Sequence, residues 1–206
     1  MKLSYTNIFF VFLVNIILIF TSCNSNKKTK AEEPKTKKEN YYSDQELLDL
    51  VQKQTFNFFW EGAEPNSGLA RERLHMDDVY PTSPKNTVTT GGSGFGLMAI
   101  IAGIERKFIT REEGFNRFVK IVDFLEKADR FHGAWPHWMQ GRTGETIPFS
   151  AQDNGADLVE TSFMAQGLIT VRQYLDPEDA NEKALIDKIN VCLLYTSDAA
   201  DDVSTV

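Results

Sequence analysis

The stretch GFGLMAIIAGIERK, residues 94–107, decides the fold of this chain. It is apolar almost all round, since leucine, methionine, isoleucine and alanine fill most positions up to Ile104 and the charged residues stand at its end. A helix that is apolar on every side is buried among other elements of a protein. The stretch therefore predicts a helix that its neighbours cover on most of its sides.

Helices are also predicted on both sides of this stretch, over residues 43–62, 110–128, 154–174 and 177–190. Two of them begin at capping boxes, in which a Ser or Thr and a Glu three residues later bond each other's free backbone amides. Ser43 and Glu46 form the first box, and Thr110 and Glu113 form the second. Apolar residues then recur at three- and four-residue spacing, the period of an amphipathic helix. No part of the chain predicts a convincing strand.

The connections between these helices alternate in length. Residues 61–90 form a long loop, whereas residues 108–110 form a short turn. Such alternation is typical of helical hairpins arranged in a ring, with the long loops gathered at one rim. The predicted fold class is all-α, an α/α toroid of helical hairpins. Five helices do not close such a ring, so residues 43–190 are predicted to form an incomplete, N-terminal part of it.

Three acids stand at regular spacing in the run DNGADLVE, residues 153–160. If this run is helical, Asp153, Asp157 and Glu160 lie at positions i, i+4 and i+7 and project from one face. Like charges on one stripe repel each other, which suggests a catalytic or ligand-binding role. The alternative is that the acids favour the positive end of a helix and are otherwise solvated. Calcium would also select such oxygen ligands, but the spacing is not that of an EF-hand.

An aromatic loop, residues 131–138, precedes these acids. Its side chains Trp135, His137 and Trp138 either cover the core or present flat apolar faces to a sugar ring. Indole rings beside carboxylates are typical of carbohydrate chemistry. No cysteine and no HExxH pattern accompanies the histidines, so the sequence predicts no zinc site and no other metal or cofactor. Arg71 and Arg73, in the long loop, are candidates for orienting sugar hydroxyls or pairing with the acids; surface ion pairs are the alternative.

The run TGGSGFG, residues 90–96, is rich in glycine. A dinucleotide fingerprint would require a strand before them within a βαβ unit, which the sequence does not predict. We expect instead that the glycines allow the start of the helix to approach a neighbour or a ligand closely.

The first 22 residues predict an export signal. An apolar run, residues 8–20, is too short to span a membrane, and the small residues Thr21 and Ser22 follow it before Cys23, as in a cleaved signal. The residues FTSC, 20–23, resemble a bacterial lipobox, which implies a lipid on Cys23; an ordinary secretory signal is the alternative. Residues 23–42 are rich in Lys, Glu and small polar residues and predict a flexible tether. The chain is thus predicted to lie in the cell envelope, anchored to a membrane through Cys23.

The net charge disfavours polyanionic partners. The 206 residues carry a formal charge of −7, from 22 basic against 29 acidic residues. A protein of this charge repels nucleic acid, so no nucleic-acid partner is predicted.

The last residues, 191–206, differ from the rest. The helical pattern fades near residue 190, and the string VCLLYTSDAADD, residues 191–202, resembles adapter-derived sequence appended to assembled reads. We interpret residues 191–206 as a non-native tail, with a genuine acidic tail as the alternative. On this interpretation the protein continues beyond the chain, and the chain alone is expected to be inactive.

Five ordered motifs resemble glycoside hydrolase family 144, the bacterial glucoamylase-like proteins. They are QTFNFFW at 54–60, GLARER at 68–73, TGGSGFG at 90–96, GAWPHW at 133–138 and DNGADLVETSF at 153–163. The resemblance implies an α/α barrel that cleaves β-1,2-glucan, exported as a lipoprotein of Bacteroidota. It also implies that Asp153, Asp157 and Glu160 are the acids of the glucan cleft and that the aromatic loop forms its sugar-binding rim.

The sequence therefore predicts an exported glycoside hydrolase acting on a glucan by carboxylate acid/base chemistry. Two alternatives stay open: a non-catalytic carbohydrate-binding lipoprotein on the same scaffold, and a helical envelope module without a sugar site. An enzyme would lose turnover in Asp157→Asn or Glu160→Gln, whereas a binding protein would lose affinity in Trp135→Ala.

Overall fold

The computed structural model describes residues 41–81 and 84–202. The predicted export signal, Cys23 and all but the last residues of the predicted tether lie outside these ranges. The helices are α1 (Asp44–Trp60), α2 (Thr90–Glu105), α3 (Arg111–Leu125), α4 (Leu158–Tyr174) and α5 (Ala180–Asp202). The strands are β1 (Thr87–Thr89), β2 (Trp138–Gln140) and β3 (Thr146–Ile147). Among these helices, none is both long and apolar enough to cross a membrane.

Helices α2 and α4 form the centre of the fold and run parallel, in register. At their starts Gly91 lies against Glu160, and at their ends the Tyr174 hydroxyl donates to Glu105 at 2.7 Å. Two glycines bring the backbones together between these points. A Cβ on Gly94 would lie 2.2 Å from the Phe163 carbonyl oxygen. A Cβ on Gly167 would lie 2.4 Å from that of Gly94, so any side chain there would push the helices apart.

Helix α1 packs against α2, α3 packs against α2, α5 packs against α4, and α3 and α5 pack against each other. Helix α1 places Phe56 against α2, where a Cβ on Gly103 would lie 2.3 Å from the Phe56 ring. Helix α3 contributes the fully buried Phe118, and α5 contributes Ile189. The alternate helices α2 and α4 are thus parallel at the centre, and the other helices lie around them. Apart from three short strands, this confirms the predicted all-α class, and the arrangement is consistent with part of an α/α toroid.

Apolar side chains stay exposed on several helices. Examples are Leu47 and Val51 of α1, Leu158 and Val159 of α4, and Val191 of α5. These faces of the described helices lack the apolar cover that a closed ring of hairpins would give them.

The prediction that the chain has no strands is wrong. Strands β1, β2 and β3 form a small antiparallel sheet in that order, with Thr89 opposite Trp138 and Trp138 opposite Ile147. Each strand has only two or three residues, too few for an alternating pattern to be recognised in a sequence. The sheet joins the long loop before α2 to the loop before α4. It therefore fixes these two loops at one end of the central helices.

Several helix boundaries also differ from the prediction. Helix α2 begins at Thr90, four residues before the predicted start at residue 94, and α5 begins at Ala180 and not at residue 177. Helix α4 begins at Leu158, after an extended Asp157, and not near residue 154. Helix α5 continues past residue 190 to Asp202, since neither Gly nor Pro interrupts it. Cys192 is a free, buried thiol on α5, and the Thr196 hydroxyl lies 3.2 Å from the Gly133 carbonyl oxygen. The origin of residues 191–206 stays a prediction.

Both predicted capping boxes are confirmed. The Glu113 amide donates to the Thr110 hydroxyl at 3.2 Å, and the Thr110 amide donates to the Glu113 carboxylate at 2.7 Å.

We expect Thr110→Ala to lower the free energy of unfolding by about 1 kcal/mol, because an N-terminal amide of α3 loses its acceptor. Thr110→Ser keeps the acceptor and should melt like the wild type. Equal urea denaturation midpoints for the alanine variant and the wild type would contradict this account.

Candidate functional site

The candidate site lies where α2 and α4 begin. Strand β1 leads directly into α2, and its partner β2 begins within the aromatic loop. The Thr90 amide donates to the His137 carbonyl at 3.1 Å, and the Asp157 amide donates to the Trp135 carbonyl at 2.9 Å. These bonds tie the aromatic loop to the first turns of both helices. Two helix N-termini, each with a partial positive charge, therefore face the same group of side chains.

Asp157 is the N-cap of α4. Its Oδ1 accepts hydrogen bonds from the amides of Val159 at 2.9 Å and Glu160 at 3.0 Å. Its Oδ2 lies 2.9 Å from Nδ1 of His137. Burial raises the pKa of Asp157, but the hydrogen bonds from the Glu160 amide, His137 and the Val159 amide outweigh it, and the pKa is lowered from 3.8. Asp157 is therefore ionised at neutral pH.

This lowered pKa makes part of the stability depend on pH. The ionised carboxylate stabilises the folded protein above its unfolded-state pKa of 3.8, and this contribution is lost as the pH falls through the folded-state pKa. Asp157→Asn keeps an N-cap acceptor but does not titrate. The variant should therefore be less stable than the wild type at about pH 7, and the gap should narrow by about pH 2. Urea denaturation at both pH values measures the gap; an unchanged gap would show that the pKa of Asp157 is not lowered.

Glu160 lies in the first turn of α4 and reaches across to α2. Its Oε2 accepts hydrogen bonds from the Gly91 amide at 2.7 Å and the Thr89 hydroxyl at 3.0 Å. The side chain is half-buried. A carboxylate in this position is stabilised by the start of its own helix and by the start of a second one.

Asp153 does not share a helix face with the other two acids, so the predicted stripe at i, i+4 and i+7 is wrong. The Asp157 side chain takes the first free amides of α4, and the helix therefore starts after it. Asp153 lies in a preceding turn, where its amide donates to the Ser150 hydroxyl at 3.1 Å and its carbonyl accepts from the Phe149 amide at 2.9 Å. Its carboxylate has no hydrogen-bond partner within residues 41–81 and 84–202.

Trp135 belongs to the core, not to an exposed rim. Its side chain is fully buried, with the Arg130 guanidinium 3.9 Å from the ring centre. Its backbone amide donates to the Thr161 hydroxyl of α4 at 2.9 Å. A ring that no solvent reaches cannot stack on a sugar, so the binding role predicted for Trp135 is corrected. Its position instead anchors the aromatic loop on α4.

His137 and Trp138 lie at the surface and form an aromatic cluster with Phe149. The Phe149 ring centre lies 4.4 Å from that of His137 and 4.9 Å from that of Trp138. Phe149 is half exposed, and the other two rings are partly exposed. Phe149 could not be predicted from the sequence, because only the pairing of β2 with β3 brings it beside Trp138. The three rings offer an apolar face beside the Asp157 carboxylate.

The two arginines predicted to bind substrate do not contact these acids. Arg71 is buried, and its guanidinium donates to the backbone carbonyls of Gly62 and Lys85. It therefore holds the long loop together, and its predicted role at the substrate is corrected. Arg73 is half exposed and pairs with Glu72, which is the surface ion pair left open as an alternative.

Glu64 has a fully buried carboxylate that was not predicted from the sequence. It accepts hydrogen bonds from the backbone and side chains of Asn66 and Ser67 at 2.7–3.0 Å. Because these neighbours occupy both oxygens and no solvent reaches them, Glu64 stabilises a turn and is not a candidate for catalysis. No group of three metal-binding side chains occurs in the part of the chain that the structure describes.

The chain is similar to proteins that include enzymes named for the hydrolysis of β-1,2-glucan. No protein-family model matches the chain. The exo β-1,2-glucooligosaccharide sophorohydrolase (non-reducing end) of Parabacteroides distasonis is 55% identical over 149 residues, which are 72% of this chain and 20% of that protein. The structure of an endo-β-1,2-glucanase from Chitinophaga pinensis, in complex with sophorotriose and glucose, is 56% identical with a TM-score of 0.74. A β-1,2-glucanase structure from Parabacteroides distasonis is 53% identical with a TM-score of 0.69.

The chain spans only part of each relative. The match covers 76% of this chain and 37% of the Chitinophaga structure, and 76% of this chain and 22% of the Parabacteroides structure. Identity above 50% over such a length, together with a shared helical fold, leaves common descent as the explanation. Over about three quarters of its length the chain is a homologue of bacterial β-1,2-glucan hydrolases, and the resemblance to glycoside hydrolase family 144 drawn from its motifs is confirmed.

Proposed function

We propose that the complete gene product carrying this chain hydrolyses β-1,2-linked glucan. The observation that carries the proposal is the 55–56% identity to a sophorohydrolase and an endo-β-1,2-glucanase, both of which are named for this linkage. The site supports it chemically, since carboxylates of α4 lie beside a partly exposed aromatic cluster. Carbohydrate rings present apolar faces that pack on such rings, while their hydroxyls bond to charged groups.

The hydrolysis needs two carboxyl groups. One protonates the oxygen of the leaving sugar, and the other activates water or attacks the anomeric carbon. Asp157 is held ionised by three hydrogen bonds, so it does not fit the role of the proton donor. We therefore assign Asp157 to the role that requires an ionised carboxylate, which is to activate water or attack the anomeric carbon. His137 is its hydrogen-bond partner. Glu160 and Asp153 are the other carboxyl groups of the proposed cleft.

The test is an assay of the complete gene product on linear β-1,2-glucan, with β-1,3- and β-1,4-glucans as controls. We expect new reducing ends from the β-1,2-glucan alone. The products distinguish the two modes of cleavage: disaccharide from chain ends for an exo enzyme, and a ladder of oligosaccharides for an endo enzyme. Binding of the glucan without any turnover would support the carbohydrate-binding alternative and overturn the proposal.

We also propose that the protein is exported and anchored in the cell envelope by a lipid on Cys23. The support is the sequence FTSC after a short apolar run, followed by a polar tether. In a bacterial host, the wild type should be found in the membrane fraction and take up labelled fatty acid. Cys23→Ala should do neither, and equal labelling of both proteins would contradict the anchor.

A further inference from the structure

The N-terminus of α2 is capped from another helix. Its own N-cap residue, Thr89, makes no side-chain hydrogen bond to the first turn. The Gly91 amide, one of the four that a helix start leaves without a partner, instead donates to Glu160 of α4 at 2.7 Å. The Thr89 hydroxyl donates to the same oxygen, Oε2, at 3.0 Å. One carboxylate oxygen is thus held by two donors from a segment about 70 residues earlier in the chain.

The approach of Glu160 requires a glycine at position 91. A Cβ on Gly91 would lie 2.7 Å from Oε2 of Glu160 and 3.0 Å from its carboxyl carbon. Any side chain would therefore displace the carboxylate or move the two helices apart. The close backbone contact between Gly94 and Gly167 sets the helix separation at which this approach occurs. The glycine-rich run therefore serves the approach of a neighbouring helix and its carboxylate.

We infer that Thr89 and Gly91 are positioning residues that fix the Glu160 carboxylate in the proposed cleft. They hold Oε2, while Oε1 receives no hydrogen bond from the residues that the structure describes. The carboxylate thus has one anchored oxygen and one available to the substrate or to water. This inference rests on the proposed function, because it assigns to Thr89 and Gly91 an effect on turnover through Glu160.

The test uses matched variants in the complete gene product. Thr89→Val removes the hydroxyl without changing the shape of the side chain, and Thr89→Ser restores the hydroxyl. We expect Thr89→Val to lower kcat on β-1,2-glucan about 10- to 100-fold, as a displaced reacting group does, with little change in KM or melting temperature. Thr89→Ser should recover most of the kcat. Gly91→Ala should also lower kcat; if it fails to fold, the threonine pair decides. Wild-type kcat in Thr89→Val would overturn the inference.

A second measurement does not depend on activity. Hydrogen exchange of the Gly91 amide, with the Gly92 amide as internal reference, reports whether Glu160 accepts its hydrogen bond. Glu160→Ala should speed exchange at Gly91 well beyond any change at Gly92. If exchange at Gly91 does not change, the inference fails even if the enzyme cleaves glucan. If the wild type cleaves no glucan while exchange responds as expected, the proposed function fails, and with it the effect on turnover, while the contact itself is confirmed.

Discussion

In the complete gene product, for which we propose glucan hydrolysis, replacing Glu160 by Gln is expected to lower kcat on β-1,2-glucan by about 10²- to 10⁴-fold, the usual contribution of an acid or base group. Gln keeps an oxygen that can accept hydrogen bonds from the Gly91 amide and the Thr89 hydroxyl, so the contact between α2 and α4 is preserved. What it loses is the negative charge and the ability to exchange a proton. Asp157→Asn should lower kcat by a similar factor, since Asn also caps a helix but carries no negative charge.

This prediction is checked by kcat and KM together with a thermal melt of each variant. Glu178→Gln is the control, because Glu178 is exposed and lies in the turn between α4 and α5, at the opposite end of α4 from the site. The control should have wild-type kcat, and both the control and Glu160→Gln should melt near the wild type. Asp157→Asn should melt somewhat lower at neutral pH, because it loses the charge that the first amides of α4 and His137 stabilise. Full turnover in Glu160→Gln would remove Glu160 from the reaction and leave the other carboxyl groups to account for it.

Replacing Trp135 by Ala should destabilise the protein by about 3–5 kcal/mol, the usual cost of removing a buried aromatic side chain. The ring is fully buried beneath Arg130, and the loop that carries it is bonded to Thr161 of α4. A cavity at this point would loosen the aromatic loop and the first turn of α4 together. Trp138→Ala is the matched comparison: its ring is partly exposed, so the same change should leave the fold intact and weaken sugar binding.

Two measurements separate these effects. Urea denaturation gives the free energy of unfolding of each variant, and calorimetric titration with a β-1,2-glucooligosaccharide gives its affinity in an inactive Glu160→Gln background. We expect a large loss of stability for Trp135→Ala alone and a loss of affinity without loss of stability for Trp138→Ala. The reverse assignment, with Trp138 essential to the fold and Trp135 to binding, would contradict the position of the aromatic loop.

Local signals predicted the local parts of this fold. The capping boxes at Ser43 and Thr110 act within four residues of chain, so their residues identify the helix starts without further information. The apolar stretch at residues 94–107 identified the central helix. Asp157 gives no such local signal, because an acid can either continue a helix or cap it, depending on whether its side chain accepts hydrogen bonds from free amides. The start of α4 and the acidic stripe were misplaced for this reason.

Local sequence patterns do not predict contacts between segments that are distant in the chain. Trp135 and Trp138 stand three residues apart in similar surroundings, and only the pairing of β2 with β1 and β3 makes one a core residue and the other a surface residue. Phe149 gains its position from the same sheet, and Arg71 gains its role from carbonyls that the loop brings to it. The glycine run predicted a close approach, but not that Glu160 would be the group that approaches.

The most direct test of the account is a crystal structure of the complete Glu160→Gln protein with a bound β-1,2-glucooligosaccharide. We predict that a glucose ring packs on the cluster of His137, Trp138 and Phe149, with a glycosidic oxygen or anomeric carbon within reach of position 160 and Asp157. A sugar chain bound elsewhere, with these side chains facing only solvent or protein, would contradict the central claim that the paired starts of α2 and α4 form the glucan-cleaving site.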